Sequence, residues 1–514
     1  MRKILRDPIV ATKETYDLIV IGGGIYGVML TWEASLRGLQ TLLIEQADFG
    51  SATSFNSLKT IHGGFRYLQN LDLKRFFESI GERNWFLQNF INSNLVKVLP
   101  CLLPLYGQSL RRPFILKQAL QLNNILSSRW NHCLDIDKHL PKGRTISAQD
   151  TQKIFPLVDS KGLEGGAIWY DAFMPNTQRL IIEILKAACS MGAIALNYMQ
   201  AKSVLTSNKQ AVGIVATDTE TQNNYEYRAN VIVNAAGPWS REVAVNLNGN
   251  DCNLYKNCLA WNVSFNRAAV SDFAIGVTVN RAKPKTYLIH NWKGRLLVGT
   301  GNAPSLGKVR EPMPSDCQLE DFITDLNDTV PRLKLSFNDI DQVWSGFRPV
   351  KYSNSIAVAD RELIISHNQF GGPTGLYSIA GVKFTTARLV AEKTLQRIFP
   401  NVSLPNSQAT VTQVLEKIPK QLGVFSYDWH PNLNEFDWQQ QIKDLIAEES
   451  VQHLDDLIFR RTSLGDNPAR TRLIAPQICQ LFNWGKKRSQ EELLRVERYL
   501  ASREVKPNNI YLGT

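Results

Sequence analysis

Paired cysteines are missing from this chain of 514 residues: seven lie scattered at Cys101, Cys133, Cys189, Cys252, Cys258, Cys317 and Cys479, with no C-x-x-C. An odd, dispersed set excludes a disulfide framework and offers no zinc or iron–sulfur ligand pattern. No metal is expected, and the thiols read as buried or incidental ones in a reducing compartment. Long apolar runs are missing too. The most apolar stretch, Leu95 to Tyr106, is broken by Lys97, Pro100 and Pro104 and falls well short of the ~20 residues that span a bilayer. The basic start, Met1 to Asp7, leads into no uninterrupted apolar core, so no cleaved signal is expected and the chain is expected in the cytoplasm. No internal repeat or low-complexity tract occurs. There is also no Lys/Arg-rich block of the kind that forms a nucleic-acid arm, although the net charge is +11. That charge fits a solvated basic surface, an anionic membrane or an anionic substrate.

What is present begins early. With 44% hydrophobic residues the chain can bury a large core, and its length suggests two to three domains. Tyr16 to Val20 reads as a short buried strand, and Gly22-Gly23-Gly24-Ile25-Tyr26-Gly27 follows it at the start of a helix predicted to about Arg37. Gly22 permits the tight turn, Gly24 lets backbone N–H groups approach a pyrophosphate, and Gly27 lets the helix pack on its strand. A second strand, Thr41 to Ile44, ends at Glu45, about 20 residues on, where a ribose hydroxyl needs an acceptor. This is a dinucleotide site, and the carboxylate disfavours a 2′-phosphate, so NADP is the least expected ligand.

A Ser/Thr-rich loop, Ser51 to Thr60, then Ile61-His62-Gly63-Gly64-Phe65-Arg66-Tyr67, suits close cofactor contact. Leu73 to Asn92 reads as helix. The run Leu95 to Tyr106, trailed by Arg111 and Arg112 and an apolar helix to about Leu126, either lies on a membrane interface or forms a core helix pair. Strand, helix and strand return at Ala167 to Tyr170, Asn176 to Met191 and Ala193 to Leu196. The strand Val231 to Val233 runs into Asn234-Ala235-Ala236-Gly237-Pro238-Trp239. From Asn253 to Asn302 apolar and polar positions alternate, as in an antiparallel sheet with one covered face. Gly381 to Thr386 opens a second helix, to about Ile398, whose N-terminus suits an anionic or flavin-ring contact. Beyond 408 the pattern is helical, over Phe436 to Arg461 and Pro476 to Tyr499.

The assembled pieces resemble one family, the FAD-dependent glycerol-3-phosphate dehydrogenases, within the wider group of flavin oxidases that includes D-amino-acid oxidase. The resemblance rests on Gly22 to Gly27, Ser57 to Leu68, Asn234 to Trp239, Ser345-Gly346-Phe347-Arg348-Pro349, Asp360-Arg361, Gly381 to Arg388, and Leu457 to Gly465 in the tail. It implies an α/β fold with a Rossmann-like FAD-binding domain, an interleaved antiparallel-sheet substrate domain and a C-terminal helical domain. The cofactor part would span 14–400 (mainly 14–75, 160–250 and 345–400), interleaved with substrate segments 76–159 and 251–344; the helical domain would span 408–514.

For the site, the resemblance implies FAD held by Gly22, Gly24 and Gly27, with Glu45 on the adenosine ribose. Ser57, His62, Gly63, Gly64, Ala236, Gly237, Lys383, Phe384 and Thr385 would surround the flavin. Arg66, Arg348, Arg361 and Lys383, with Tyr67 beside them, match the basic residues that clamp a substrate phosphate, and a dianion needs several fixed cationic donors. The implied chemistry is oxidation of sn-glycerol 3-phosphate to dihydroxyacetone phosphate, with Arg348 polarising oxygen and His62 or Lys383 as proton acceptor or alkoxide stabiliser. His62 also reads as a turn residue against the cofactor, or as a point of covalent attachment. With one complete G-x-G-x-x-G, electrons should leave to quinone at the inner face of the cell membrane, or to oxygen. Peripheral membrane contact through Leu95 to Leu126 and a homodimer are compatible with this reading.

Departures from the family pattern point to alternatives: a different hydroxy or amine substrate, or a flavin-binding protein that assembles through its tail. The family strand I-P-W-x-G-x-x-L-I-G-T-T-D is here His290 to Asn302, ending Gly301-Asn302. Its G-G-K is Gly381-Val382-Lys383, and Pro175-Asn176-Thr177-Gln178 replaces an acid pair.

Overall fold

The computed structural model describes residues 3–68, 72–106, 117–125, 139–279, 285–304, 312–352, 356–358, 361–402 and 438–505. The chain divides into two units, the first comprising 1–55, 176–258 and 347–498, the second 56–175, 259–346 and 499–514.

In the first unit, runs of Ile, Leu and Val form a parallel sheet because both of its faces are covered. Its strands are β1 (Thr15–Ile21), β2 (Thr41–Ile44), β3 (Ile194–Leu196), β4 (Met199–Ser207), β5 (Gln210–Asp218), β6 (Asn224–Asn234), β7 (Leu363–Ser366) and β8 (Leu376–Ala380). The order is β7-β8-β6-β1-β2-β3, with the β4–β5 hairpin added to β6. Pairing is parallel from β8 through β3, in a register that sets Leu18 opposite both Val231 and Thr41. Helix α1 (Ile25–Leu36) packs between α2 (Thr177–Ser190) and α3 (Ala387–Ile398). α1 connects β1 to β2, α2 leads into β3 and α3 follows β8, so each runs back against the parallel strands. Three helix N-termini therefore gather at the carboxyl ends of the strands, where open α/β sheets take ligands.

The tail adds α4 (Trp438–Glu448), a π-helical turn at Asp456–Arg461, α5 (Pro468–Cys479) and α6 (Lys486–Ala501). The helical pattern read over Phe436 to Arg461 and Pro476 to Tyr499 is interrupted in both stretches. The first breaks where Ser450 takes a left-handed backbone, φ 52°, and the second where Asn483 does so at φ 54°. The reason for the first break is electrostatic. Fully buried Glu449 accepts from Arg179 (2.7 and 2.8 Å) and Lys186 (2.5 Å). Arg460 and Arg461 both turn onto buried Asp48, at 2.5 and 2.7 Å. Burial opposes ionisation of Glu449, but its three cationic bonds hold it at about 2.

His453 sits between Glu492 (2.8 Å) and Glu220 (3.1 Å). Burial works against its charge, yet the two carboxylates raise it from 6.5 to about 9. A folded-state value above the unfolded one contributes stability that is full below pH ~6.5 and is lost as pH rises through about 9. Thermal melting across that interval should show wild type losing more stability than His453→Gln; equal slopes would dismiss the imidazolium. The ligand atoms of His453, Asp455 and Glu492 lie within 4.8 Å of one another. The place of a cation is already taken, because Arg460 and Arg495 hold Asp455 and the imidazolium holds Glu492.

The second unit is built on a largely antiparallel sheet. Its order is Ile340–Tyr352, Lys256–Ala268, Arg295–Pro304, Lys285–Trp292, Ala274–Val279, Lys97–Leu105, Gly165–Phe173 and Thr60–Ile61. Val263, Phe265, Ile275, Ile289 and Val298 pack with Leu319, Phe322 and Leu326 of the helix Asp316–Thr329 in its main core. Helix Leu73–Phe90 buries Phe76 and Ile80 beside Leu103, Leu105 and Leu120.

Here one expectation is corrected. Leu95 to Tyr106 is neither an interfacial segment nor a helix: Lys97–Leu105 is a strand between Ala274–Val279 and Gly165–Phe173. Prolines at 100 and 104 deny a helix its interior N–H groups, and a strand covered on both faces reads as a continuous apolar run. Arg111, Arg112 and Leu126 lie outside the described residues; the helical residues 117–125 expose Leu122 and Ile125. Among the described residues no helix is long and apolar enough to cross a membrane.

Candidate active site

Gly22 adopts φ +110° and a methyl there would collide with the Ala235 carbonyl, while a methyl on Gly27 would overlap the carbonyl of Gly22. The turn therefore brings α1 tightly against β1 and β6, with Ala235 N–H donating to Ile21 O at 2.8 Å. Gly24 caps α1 with no side-chain bond, and the Ser54 hydroxyl accepts from Ile25 N–H at 3.0 Å. That leaves a helix N-terminus lined by small groups, as a pyrophosphate requires. Glu45 accepts from Gly23 N–H at 2.6 Å and Ala47 N–H at 2.9 Å. Its burial raises the carboxyl pKa, against those two donors. A glycine-capped helix start and an acid at the end of β2 fit an adenine dinucleotide.

The first unit ties the other sequence blocks to this turn. Gly50 N–H donates to Gly23 O at 2.9 Å. Thr53 brackets Phe347, accepting its N–H at 3.3 Å and reaching its carbonyl at 3.4 Å. The Phe347 ring stands edge-on to Trp239 at 6.5 Å, and Asn234 accepts from Ala236 N–H at 3.2 Å. Ala236, Arg348, Lys383 and Phe384 are half-buried, Thr385 is buried and Gly237 is exposed. Arg361 is exposed too, its carbonyl held by the Tyr255 hydroxyl at 3.0 Å. Asp360 lies outside the described residues.

In the second unit the loop from Asn56 is pinned residue by residue. Asn56 donates to Ser345 O at 2.7 Å and Asn262 donates to Asn56 O at 3.0 Å. Ser57 is half-buried. His290 bonds Leu58 O at 3.2 Å, and burial pushes its imidazole down to about 4, so it props the loop as a neutral ring. Gly301 faces Trp261 so closely that any side chain would overlap the indole. These contacts explain two departures in the strand His290 to Asn302.

His62 keeps 53% of its side chain exposed while Nδ1 stands 3.3 Å from Asp171. Asp171 also accepts from Gly63 N–H at 2.7 Å and from Trp169 Nε1 at 3.3 Å. Burial penalises its charge, but His62, Arg83 and the Gly63 N–H together hold it below the usual carboxylate range. Arg83, itself buried, donates to Tyr170 O at 2.8 Å. Gly64 turns at φ 79°, and Tyr67 is buried with Arg75 5.2 Å above its ring. The side chain of Arg66 lies outside the described part of the chain. Sequence reading missed Asp171 and Arg83. The signal was an acid continuing an apolar strand, and an Arg-Asn pair on the covered face of a helix.

Residues 17–397 match the model of the DAO family, FAD dependent oxidoreductase. The glycerol-3-phosphate dehydrogenase of Synechocystis sp. is 30% identical over 398 residues, 75% of this chain and 70% of that protein. The aerobic glycerol-3-phosphate dehydrogenase of Bacillus subtilis is 29% identical over 74% of this chain and 66% of its own length. Among solved structures, the glycerol-3-phosphate dehydrogenase from Bacillus halodurans, complexed with FAD, superposes with a TM-score of 0.69 at 21% identity, covering 97% of this chain and 98% of that one.

Proposed function

The chain belongs to the family of FAD-dependent oxidoreductases, and from that premise we propose that it oxidises sn-glycerol 3-phosphate at C2 to dihydroxyacetone phosphate and passes the electrons to a quinone. The observation that carries the reading is the exposed His62 imidazole backed by the buried Asp171 carboxylate. Beside a carboxylate Nδ1 is the donor nitrogen, which assigns the role of proton acceptor to Nε2, and the Asp171 charge offsets the positive charge that a hydroxyl proton would bring to the ring. Arg348, Arg361, Arg66 and Lys383 supply the cations for a phosphate dianion, with arginine giving two-pronged contact. Lys383 or Arg348 offsets negative charge growing on the C2 oxygen. The glycine turn at Gly22 to Gly27 with Glu45 would hold FAD, which would supply the acceptor for the C2 hydride. The names of the relatives support this substrate. For a quinone dissolved in lipid, the support is that Leu73 and Phe77 of Leu73–Phe90 and Leu122 and Ile125 of the helical residues 117–125 are exposed, with Lys74 and Lys117 beside them in sequence.

Anaerobic titration with glycerol 3-phosphate tests the substrate: the visible absorbance of the oxidised flavin should fall. Arg348→Ala should keep its flavin but need roughly ten- to hundredfold more substrate, the effect of losing one charge-assisted contact of about 1.5–3 kcal/mol. A flavin that stays oxidised with glycerol 3-phosphate would overturn the proposed substrate; an unchanged KM in the variant would remove Arg348 from the site.

A further inference from the structure

Tyr26 is an ordinary variable position of the glycine turn by sequence, but the structure gives it a second partner. It lies in the first turn of α1, and across from it the segment Gly381 to Thr386 leads into α3. Gly381 packs so closely on the phenol that a methyl at that position would fall within the ring. The Tyr26 hydroxyl donates to the Lys383 carbonyl at 2.6 Å and accepts from the Lys383 N–H at 3.0 Å. One phenol thus satisfies both main-chain groups of a single residue, and the Thr386 side chain bonds it as well. Burial raises the phenol to about 12, which keeps the donor protonated at any working pH. The next residues, Thr385 and Thr386, are buried, so the start of α3 has its position set by this contact.

We propose that Tyr26 is a positioning residue that couples the two ends of the cofactor: it rides on the helix whose N-terminus faces the pyrophosphate and fixes the turn whose N-terminus faces the flavin ring. The inference rests on the assignment of Lys383 to Thr385 to the flavin. Its physical content is a spacing. With α1 and α3 joined through one hydroxyl, the partial positive charge at the start of α3 keeps a fixed offset from the phosphate turn, and a reduced, more electron-rich ring is favoured there over the oxidised one. Without the hydroxyl, the Lys383 peptide loses the bonds to its N–H and its carbonyl from α1 and that preference weakens.

Tyr26→Phe keeps the ring against Gly381 and removes only the hydroxyl. The purified variant should bind FAD about tenfold more weakly, the equivalent of about 1.4 kcal/mol. Its flavin midpoint potential should fall by about 30 mV, a tenfold change in the two-electron equilibrium. Both are read by titration of apoprotein with FAD and by equilibration with redox dyes, without substrate. Thr385→Val serves as the second arm, since it perturbs the turn without touching Tyr26. If Thr385→Val shifts the potential and Tyr26→Phe does not, the turn belongs to the flavin and the role of Tyr26 is overturned. If neither variant moves affinity or potential, the assignment of the turn to the flavin falls, and the inference with it. A Tyr26→Phe protein that only melts earlier, with wild-type affinity and potential, would show a merely structural contact and also overturn the proposal.

Discussion

Asp48→Ala should lower folding stability by about 3–5 kcal/mol, the cost of leaving buried charges without their partner. The Asp48 side chain has no solvent exposure and receives both terminal nitrogens of Arg461, at 2.7 and 2.8 Å, together with Arg460 at 2.5 Å and Asn197 at 3.0 Å. Burial alone would raise its carboxyl; the two guanidiniums outweigh burial and hold it far below the usual range. Arg460 retains Asp455 and Asp456 at 2.8 and 2.6 Å, so Arg461 is the group left most exposed to the loss. Urea unfolding measures the effect. The double variant Asp48→Leu with Arg461→Met should recover much of it, because a buried pair is often replaceable by apolar groups of similar volume. A loss under about 1 kcal/mol for the single variant would put the pair in the class of surface ion pairs, against its burial.

Asp171→Asn is the second large effect. The amide retains an oxygen for the Gly63 N–H but carries no charge to hold the His62 Nδ1 proton or to stabilise the imidazolium. A fall in kcat of about a hundredfold, the lower end of what a positioned general base contributes, should come with little change in KM, since the proposed phosphate donors are other residues. Flavin content should stay at the wild-type level. His62→Gln should fall as far, and the double variant little further, because the two side chains act as one unit. If Asp171→Asn keeps the wild-type kcat and pH profile, His62 does not depend on the carboxylate and the base must be sought at Lys383.

The dinucleotide turn was legible because its requirements are local: three glycines, a following helix and an acid at the next strand end suffice to specify it. The basic residues were legible only through their neighbouring motifs, as an arginine taken singly is far more often a surface residue. What escaped was what depends on distant partners. Leu95 to Tyr106 has an apolar character shared by a buried strand and a buried helix, and its register against Gly165–Phe173 is set by residues some 70 positions on. Asp171 looked like the residue after a strand because one acid inside an apolar stretch carries no mark of the imidazole it holds. The Arg460-Arg461 pair was visible as a motif, but its acid is Asp48, at the other end of the chain.

That separation has a consequence for how the protein is made. Asp48 follows Glu45 by three positions, and its partner Arg461 is 413 residues further on. At about 5–20 residues per second, a ribosome needs roughly 20 to 80 s to travel between them. Throughout that time the emerging βαβ unit carries a buried-to-be carboxylate without the two guanidiniums that neutralise it. On the proposed assignment of Glu45 to the ribose, the adjoining loop gains its buried counter-charge only after Arg461 has been made, and a messenger truncated before codon 460 should yield protein that never turns yellow.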